Sequence, residues 1–306
     1  MLDPIYFPFT EKQLLSHFAS VRKNGKCSKS IEQLEYYKKS IKRYKDYLAL
    51  NSESKRKPLR ELKWPCQIEK DERFWIARAL MTIFYSPNRV EELVRVFRIA
   101  FGDSPPIDIS SWQDCLKGEL CLFFEPNLPS PRLYKEWLHE NISKRQPIPY
   151  VLDSAVGKVN LEGPTHVDAI LLNPDNGFAL IIEAKVLSDI SVQISYDVLR
   201  NQIARNIDVM LENNDSLCSP LNLRKPENTL FLLVTPEIFK DNPSTRLYGY
   251  KMIDYKTNPN LIGEDLPHRS SNWNEISKRL RWITYRDLGL NSTLENTENN
   301  PENSFL

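Results

Sequence analysis

The period of the apolar positions changes along the chain. From residue 10 to about 125 they recur at helical spacing. Ile31, Leu34, Ile41 and Leu48 mark one amphipathic segment. Its remaining surface is crowded by Lys38, Lys39, Lys42, Arg43 and Lys45, with Tyr36, Tyr37, Tyr44 and Tyr47 interleaved. A polar break over 51–58 follows. The spacing then predicts helices over 71–85 and 88–101, separated by Ser86-Pro87. Their core faces are Phe74, Ile76, Leu80 and Ile83, then Leu93, Val94, Phe97 and Ile99.

Beyond a proline-rich stretch at 125–131 the pattern alters. Ser130 reads as an N-cap and Pro131 as the first residue of a helix over 131–143, anchored by Leu133 and Trp137. After Asp153, short apolar runs alternate with helical segments, which is the α/β signature. Thr229-Leu230-Phe231-Leu232-Leu233-Val234-Thr235 reads as a buried strand and 281–285 as a last one, after a short helix capped by Asn272 and Glu275. The expected organisation is a helical, partly basic region over 1–125, an α/β domain over 126–290 and a disordered, Asn- and Glu-rich tail over 291–306. No internal repeat is present.

The chemistry concentrates in 165–186. Two apolar runs flank Asn173-Pro174-Asp175-Asn176-Gly177, a strong hairpin turn. A turn centred between Asp175 and Asn176 sets Leu171 against Leu180, Ala169 against Ile182 and Asp168 against Glu183. Lys185, two residues on from Glu183, shares its face. Val167, Leu171, Leu180 and Ile182 are expected on one face, and Ile170, Leu172 and Ile181 on the other, so the strands belong inside a covered sheet. Two adjacent carboxylates in such a place repel and are costly to desolvate unless a cation offsets them. Lys185 alone makes this a structural ion pair; a divalent ion makes it a metal site. Oxygen ligands select Mg²⁺ or Mn²⁺ over zinc.

Composition narrows the alternatives. The 306 residues carry a formal charge of +1, which hides a dipole: residues 1–60 hold a net +8 and the remainder a net −7. A basic arm hints at a polyanion partner, against the plainer reading of a solvated helical face. Tyrosines among lysines fit base stacking or ordinary packing. No apolar run reaches membrane-spanning length, and the start lacks a signal-peptide layout. Five scattered cysteines without a CxxC argue against a disulfide scaffold or zinc ribbon and favour a reducing, cytoplasmic setting. No P-loop, GxGxxG or GxSxG occurs.

Asp168, a turn, then Glu183-Ala184-Lys185 resembles the D…(D/E)-x-K signature of the PD-(D/E)XK nuclease superfamily, over roughly residues 130–288. The resemblance implies a restriction-endonuclease-like fold, a mixed β-sheet core flanked by helices. It implies that Asp168, Glu183 and the Ala184 carbonyl bind Mg²⁺ (or Mn²⁺) and that Lys185 positions the attacking water. The literal Pro-Asp letters fall at Pro174-Asp175, in the hairpin tip, where Asp175 serves the turn. The family usually adds a helical glutamate, here Glu136 or Glu140, with Glu136 preferred. It also places polar residues on the helix after the lysine. That helix is expected over 196–211, and Arg200, Gln202 and Arg205 resemble that role, although a buried structural Arg200 bonded to a carboxylate is the competing reading. Pro267-His268-Arg269 is expected in a surface loop.

The expected function is a metal-dependent nuclease, most naturally a DNA endonuclease of restriction or defence type. RNA is not excluded, no membrane partner is expected, and a homodimer is compatible. Lys38, Lys39, Lys42, Arg43 and Arg205 are the candidate nucleic-acid contacts. The competing class is a catalytically inactive binding or interaction protein on the same fold, with a helical adaptor as a third.

Overall fold

The computed structural model describes residues 9–23, 26–29, 35–39, 42, 49, 72–191, 196–213 and 215–290. In chain order the elements are α1 (Glu11–Ser16), β1 (Ser20–Lys23), β2 (Lys26–Lys29), α2 (Glu72–Phe84), α3 (Arg89–Phe101), α4 (Trp112–Leu116), β3 (Cys121–Phe124), β4 (Asn127–Leu128), α5 (Arg132–Arg145) and α6 (Pro149–Ala155). They continue with β5 (Thr165–His166), β6 (Ala169–Leu172), β7 (Ala179–Ala184), α7 (Gln202–Met210), β8 (Thr229–Thr235), α8 (Glu237–Asp241), α9 (Leu247–Thr257), α10 (Asn260–Asp265), α11 (Trp273–Lys278) and β9 (Leu280–Thr284).

The central sheet has five strands in the order β3-β6-β7-β8-β9. β3, β6 and β7 run antiparallel, and β7, β8 and β9 run parallel. This is the mixed α/β class expected from the alternating runs. The central strands are apolar on both faces because helices cover both. One core joins α2, α3 and α4 to Ala169, Leu171, Leu180 and Ile182. The other joins α7, α9 and β9 to Ile170, Leu172, Ala179 and Ile181.

The hairpin register is the one the turn dictates: Ala169 pairs with Ile182, Leu171 with Leu180 and Leu172 with Ala179. Asn173 accepts from the Asp175 amide through its side chain (3.0 Å), and the Gly177 amide donates to the Asn173 carbonyl (3.0 Å). Gly177 has φ +76°, which L side chains avoid. Asp175 lies in the turn, while its carboxylate reaches outside it and accepts from the Glu119 amide (3.3 Å).

Several expectations need correction. Val167 packs with Ile170 and Leu172, not with Leu171, because 167–168 lies between β5 and β6 and strand alternation does not run through it. Ser130 does not cap α5; its hydroxyl donates to Glu162 (2.5 Å) and Pro131 takes the cap position. Leu133 is exposed, and α5 buries Tyr134 and Leu138 instead. The first 125 residues also contain the β1–β2 hairpin and β3, so they are not purely helical. β3 is an edge strand of the central sheet, so the expected division at residue 126 cuts between β3 and its partner β6. Arg43 and the 291–306 tail lie outside the described residues.

Cys27 on β2 is disulfide-bonded to Cys218, 191 residues away, which the sequence spacing gave no means of pairing. Cys115 and Cys121 are free. With a disulfide present, cysteine usage no longer points to a reducing compartment. Among the described residues, no helix is long and apolar enough to cross a membrane.

Candidate active site

The C-terminal end of β7 delivers the site. Glu183 and Lys185 are buried, 1 % and 5 % exposed, and Lys185 Nζ donates to Glu183 Oε1 (2.7 Å). The Lys185 amide donates to the Val234 carbonyl (2.9 Å), which ties the lysine backbone to β8. The ladder ends at Ala169–Ile182, so half-buried Asp168 lies beyond the last strand pair. Its carboxylate accepts from the Ala184 amide (2.7 Å). The two carboxylates are thus neighbours around Ala184, by a route that strand pairing alone does not describe.

α7 supplies two more contacts. Gln202 Nε2 donates to Glu183 Oε1 (2.5 Å) and Asn206 Nδ2 to Oε2 (2.8 Å). They stand one turn apart and so face the same carboxylate. Asn206 was missed in the sequence, although its i,i+4 spacing from Gln202 was the available signal. Burying Glu183 is tolerable because both its oxygens are satisfied.

A third acid arrives from α2. Glu72 Oε2 lies 3.8 Å from Lys185 Nζ, and Ser188 donates to the other Glu72 oxygen. Three carboxylates therefore surround one ammonium. Burial pushes the Asp168 carboxyl well above its usual range, and Glu183 pushes it further, with Lys185 opposing. Burial opposes the charge on Lys185, but Glu183, Asp168 and Glu72 outweigh it and raise its pKa, so the side chain stays an ammonium. Two buried hydroxyls lie near this cluster, those of Tyr248 and Tyr285, and that of Tyr285 has no hydrogen-bond partner among the described residues. Burial raises the pKa of both phenols, and the Asp168, Glu72 and Glu183 charges raise that of Tyr285 further.

The other expected residues lie elsewhere. Glu136 is 57 % exposed at its side chain and pairs with Arg132 (3.3 Å); Glu140 is exposed. Both lie off the buried Tyr134–Leu138 face of α5. The helix after the lysine begins only at Gln202, capped by the Asn201 side chain, which accepts from the Ala204 amide (2.9 Å). Residues 196–200 therefore follow no helical stripe, and Val198 and Leu199 are exposed. Arg200 turns away from Glu183 and pairs with Glu162 (2.8 Å) and Asp208 (2.7 Å). Arg205 pairs with Glu162 (3.1 Å) and donates to the Pro164 carbonyl (3.2 Å). His268 and Arg269 are not bland loop surface: His268 Nε2 lies 3.0 Å from Asp208 Oδ1, and Arg269 bonds Asp208 and Glu212. Lys38 pairs with Glu35 (3.2 Å), while Lys39 and Lys42 are exposed.

Among the described residues, no three His, Cys, Asp or Glu side chains are gathered as a metal cage. Mg²⁺ seldom needs one: it keeps waters and uses one or two carboxylates. The surplus of negative charge and the hard oxygen donors of Asp168 and Glu183 fit such an ion. A direct consequence concerns stability. Asp168→Asn keeps an acceptor for the Ala184 amide and removes a destabilised charge. In metal-free protein at neutral pH it is expected to raise the thermal midpoint. An acid whose folded pKa is raised costs stability at high pH, and that cost fades as pH falls through the raised value towards the ordinary carboxylate pKa of about 4. The gain should therefore shrink on acidification. A lower midpoint for the variant at neutral pH would mean that Lys185 already balances the charge.

No family model, curated protein or solved structure matches this chain, so the arrangement is interpreted through its own chemistry.

Proposed function

We propose that the protein is a Mg²⁺-dependent nuclease of the PD-(D/E)XK type, hydrolysing phosphodiester bonds at the end of β7. The observation that carries this reading is the juxtaposition of Asp168, Glu183 and Lys185 at a strand end, bonded through the Ala184 amide and the Lys185 ammonium. The element order also supports it. A helix (α2), an antiparallel set (β3, β6, β7), a helix (α7) and a strand parallel to β7 (β8), with further elements between them, is compatible with a restriction-endonuclease-like core.

Asp168, Glu183 and the Ala184 carbonyl would hold the ion, which when bound supplies Lewis-acid polarisation of the phosphoryl oxygen and a more acidic water. Lys185, kept charged by its carboxylates, orients the water and offsets charge developing on the phosphate; it is no proton acceptor at neutral pH. Gln202 and Asn206 lock the Glu183 rotamer. Glu72 takes the helical-acid role that Glu136 had been expected to fill.

The test is cleavage of plasmid, single-stranded DNA and RNA with Mg²⁺ or Mn²⁺ against EDTA. Wild type is expected to cut and Glu183→Ala to be inert; equal cleavage by both would sink the reading. Glu72→Gln is expected to slow cleavage by about tenfold and Glu136→Gln to leave it unchanged. The reverse ranking would return the helical acid to α5.

A further inference from the structure

A second surface lies on the far side of β8 from the hairpin. α8, α9, α11 and the edge strand β9 enclose a groove of about 610 Å³. Lys240, Lys256, Lys278 and Arg281 line it, and among the described residues no Asp or Glu does. Its floor is apolar, formed by Met252, Leu280 and Trp282 among others. Two of the cations are anchored at the rim, Lys240 by Asp287 (3.8 Å) and Lys278 by Glu275 (2.7 Å). Lys256 is exposed. Arg281 spends its Nη1 on the Ser277 and Leu280 carbonyls, which fixes its guanidinium at the strand edge.

One ring pair links the lining of the groove to the candidate active site. Trp282 donates from Nε1 to Thr235 Oγ1 (2.8 Å) at the end of β8, and its ring meets Tyr248 edge-on at 5.7 Å. Tyr248 opens α9, where its amide and that of Leu247 donate to Asp189 (3.3 and 2.7 Å), four residues past Lys185. The end of the groove at Trp282 thus adjoins the segment that carries the lysine.

Four cations over an apolar, tryptophan-containing floor match a repeating anion that also carries flat apolar faces. A nucleic-acid strand has this character: phosphates for the lysines and unstacked bases for the floor. Only an unpaired strand can turn the flat faces of its bases onto such a floor. We propose that the groove is a binding track for single-stranded nucleic acid, with Lys240, Lys256 and Lys278 on its phosphates and Trp282 beneath its bases. As the approach for a strand to be cut, it rests on the nuclease reading; strand binding itself is measured without it.

The test is fluorescence anisotropy with a labelled oligothymidylate strand and the full chain in EDTA, across a salt series. The variant Lys240→Gln/Lys256→Gln/Lys278→Gln changes only exposed side chains, and its melting curve serves as the fold check. It is expected to bind at least about tenfold more weakly, with a log–log salt slope smaller by about 2, at about 0.7 per phosphate contact on a single strand. Lys38→Gln/Lys39→Gln/Lys42→Gln is expected to lose less. Unchanged binding by the groove variant overturns the proposal. So does duplex binding as tight as single-strand binding, or displacement of the strand by polyglutamate at equal charge, which would indicate an acidic peptide. Groove-dependent binding without cleavage in Mg²⁺ overturns the nuclease reading and leaves the groove standing. Cleavage with binding untouched by the groove variant does the opposite.

Discussion

Lys185→Met is expected to lower Mg²⁺-dependent cleavage by at least about a hundredfold, the scale of losing one preorganised electrostatic partner of the transition state. The methionine keeps much of the side-chain volume and removes the only ammonium that the described residues place among Asp168, Glu183 and Glu72. It leaves Gln202 and Asn206 on Glu183, so the acid keeps two of its three donors. The loss should fall on kcat, because in the proposed mechanism Lys185 acts on charge that develops during reaction. The metal-free variant is expected to be less stable, since three acids then lack their counter-ion, and Mg²⁺ should restore more stability to it than to wild type. Single-turnover cleavage and melting with and without Mg²⁺ measure both effects. Full activity in a folded Lys185→Met protein would reduce the cluster to a structural ion pair.

The second large effect is on stability, and it sits away from the proposed chemistry. Arg200→Met is expected to cost about 3–5 kcal/mol, the range for removing one partner of a buried ion pair. Arg200 is fully buried and donates to Glu162 through Nε (2.8 Å) and Nη2 (3.2 Å), and to Asp208 through Nη2 (2.7 Å). Its guanidinium lies 3.5 Å from the centre of the Tyr134 ring. Removing it strands two buried carboxylates. Asp208 retains His268 and Arg269, so Glu162, left with Ser130 and Arg205, should bear more of the loss. Burial works against the Asp208 charge, but the His268 hydrogen bond and the neighbouring Arg200 and Arg269 outweigh it and hold its pKa well below the usual range. A depressed acid contributes stability that is complete above the ordinary carboxylate range and is lost as pH falls through the depressed value. Acid unfolding should therefore begin at higher pH in the variant. Urea denaturation across pH reads this directly; a change under about 1 kcal/mol would place the cluster with solvent-screened pairs. Below its melting range the variant should still cleave, because Arg200 makes no contact with Glu183.

The two variants also separate what was legible in the chain from what was not. The apolar runs of β6 and β7 and the Asn173–Gly177 turn form a local unit whose register depends on a few residues. That register leaves Asp168 just beyond the ladder, at the end of β7 that carries Glu183 and Lys185, although its carboxylate bonds the Ala184 amide rather than pairing across the strands. The cores of α2 and α3 were equally local, carried by helical periodicity. Gln202 is legible too, because it begins the helix that follows the lysine in the chain.

Residues remote in sequence could not be found this way. Glu72 precedes Ser188, its hydrogen-bond donor, by 116 residues and meets Lys185 only because α2 packs on the sheet beneath β7. Glu136 lost that place because Tyr134 and Leu138 decide which side of α5 is buried. Helical periodicity places Arg200 within the helix because periodicity does not register a cap; Asn201 starts the helix later and releases Arg200 towards Glu162 and Asp208. The cationic groove gathers α8, α9, α11 and β9, whose lysines are scattered in the sequence. By itself, then, the sequence determined the hairpin, its register and the three charges at the strand end, since turn geometry and side-chain alternation act over a few residues. The tertiary structure alone decided which distant acid joins them, where Arg200 is spent and where the cations collect, because those depend on which helix faces the burial of apolar surface turns inward.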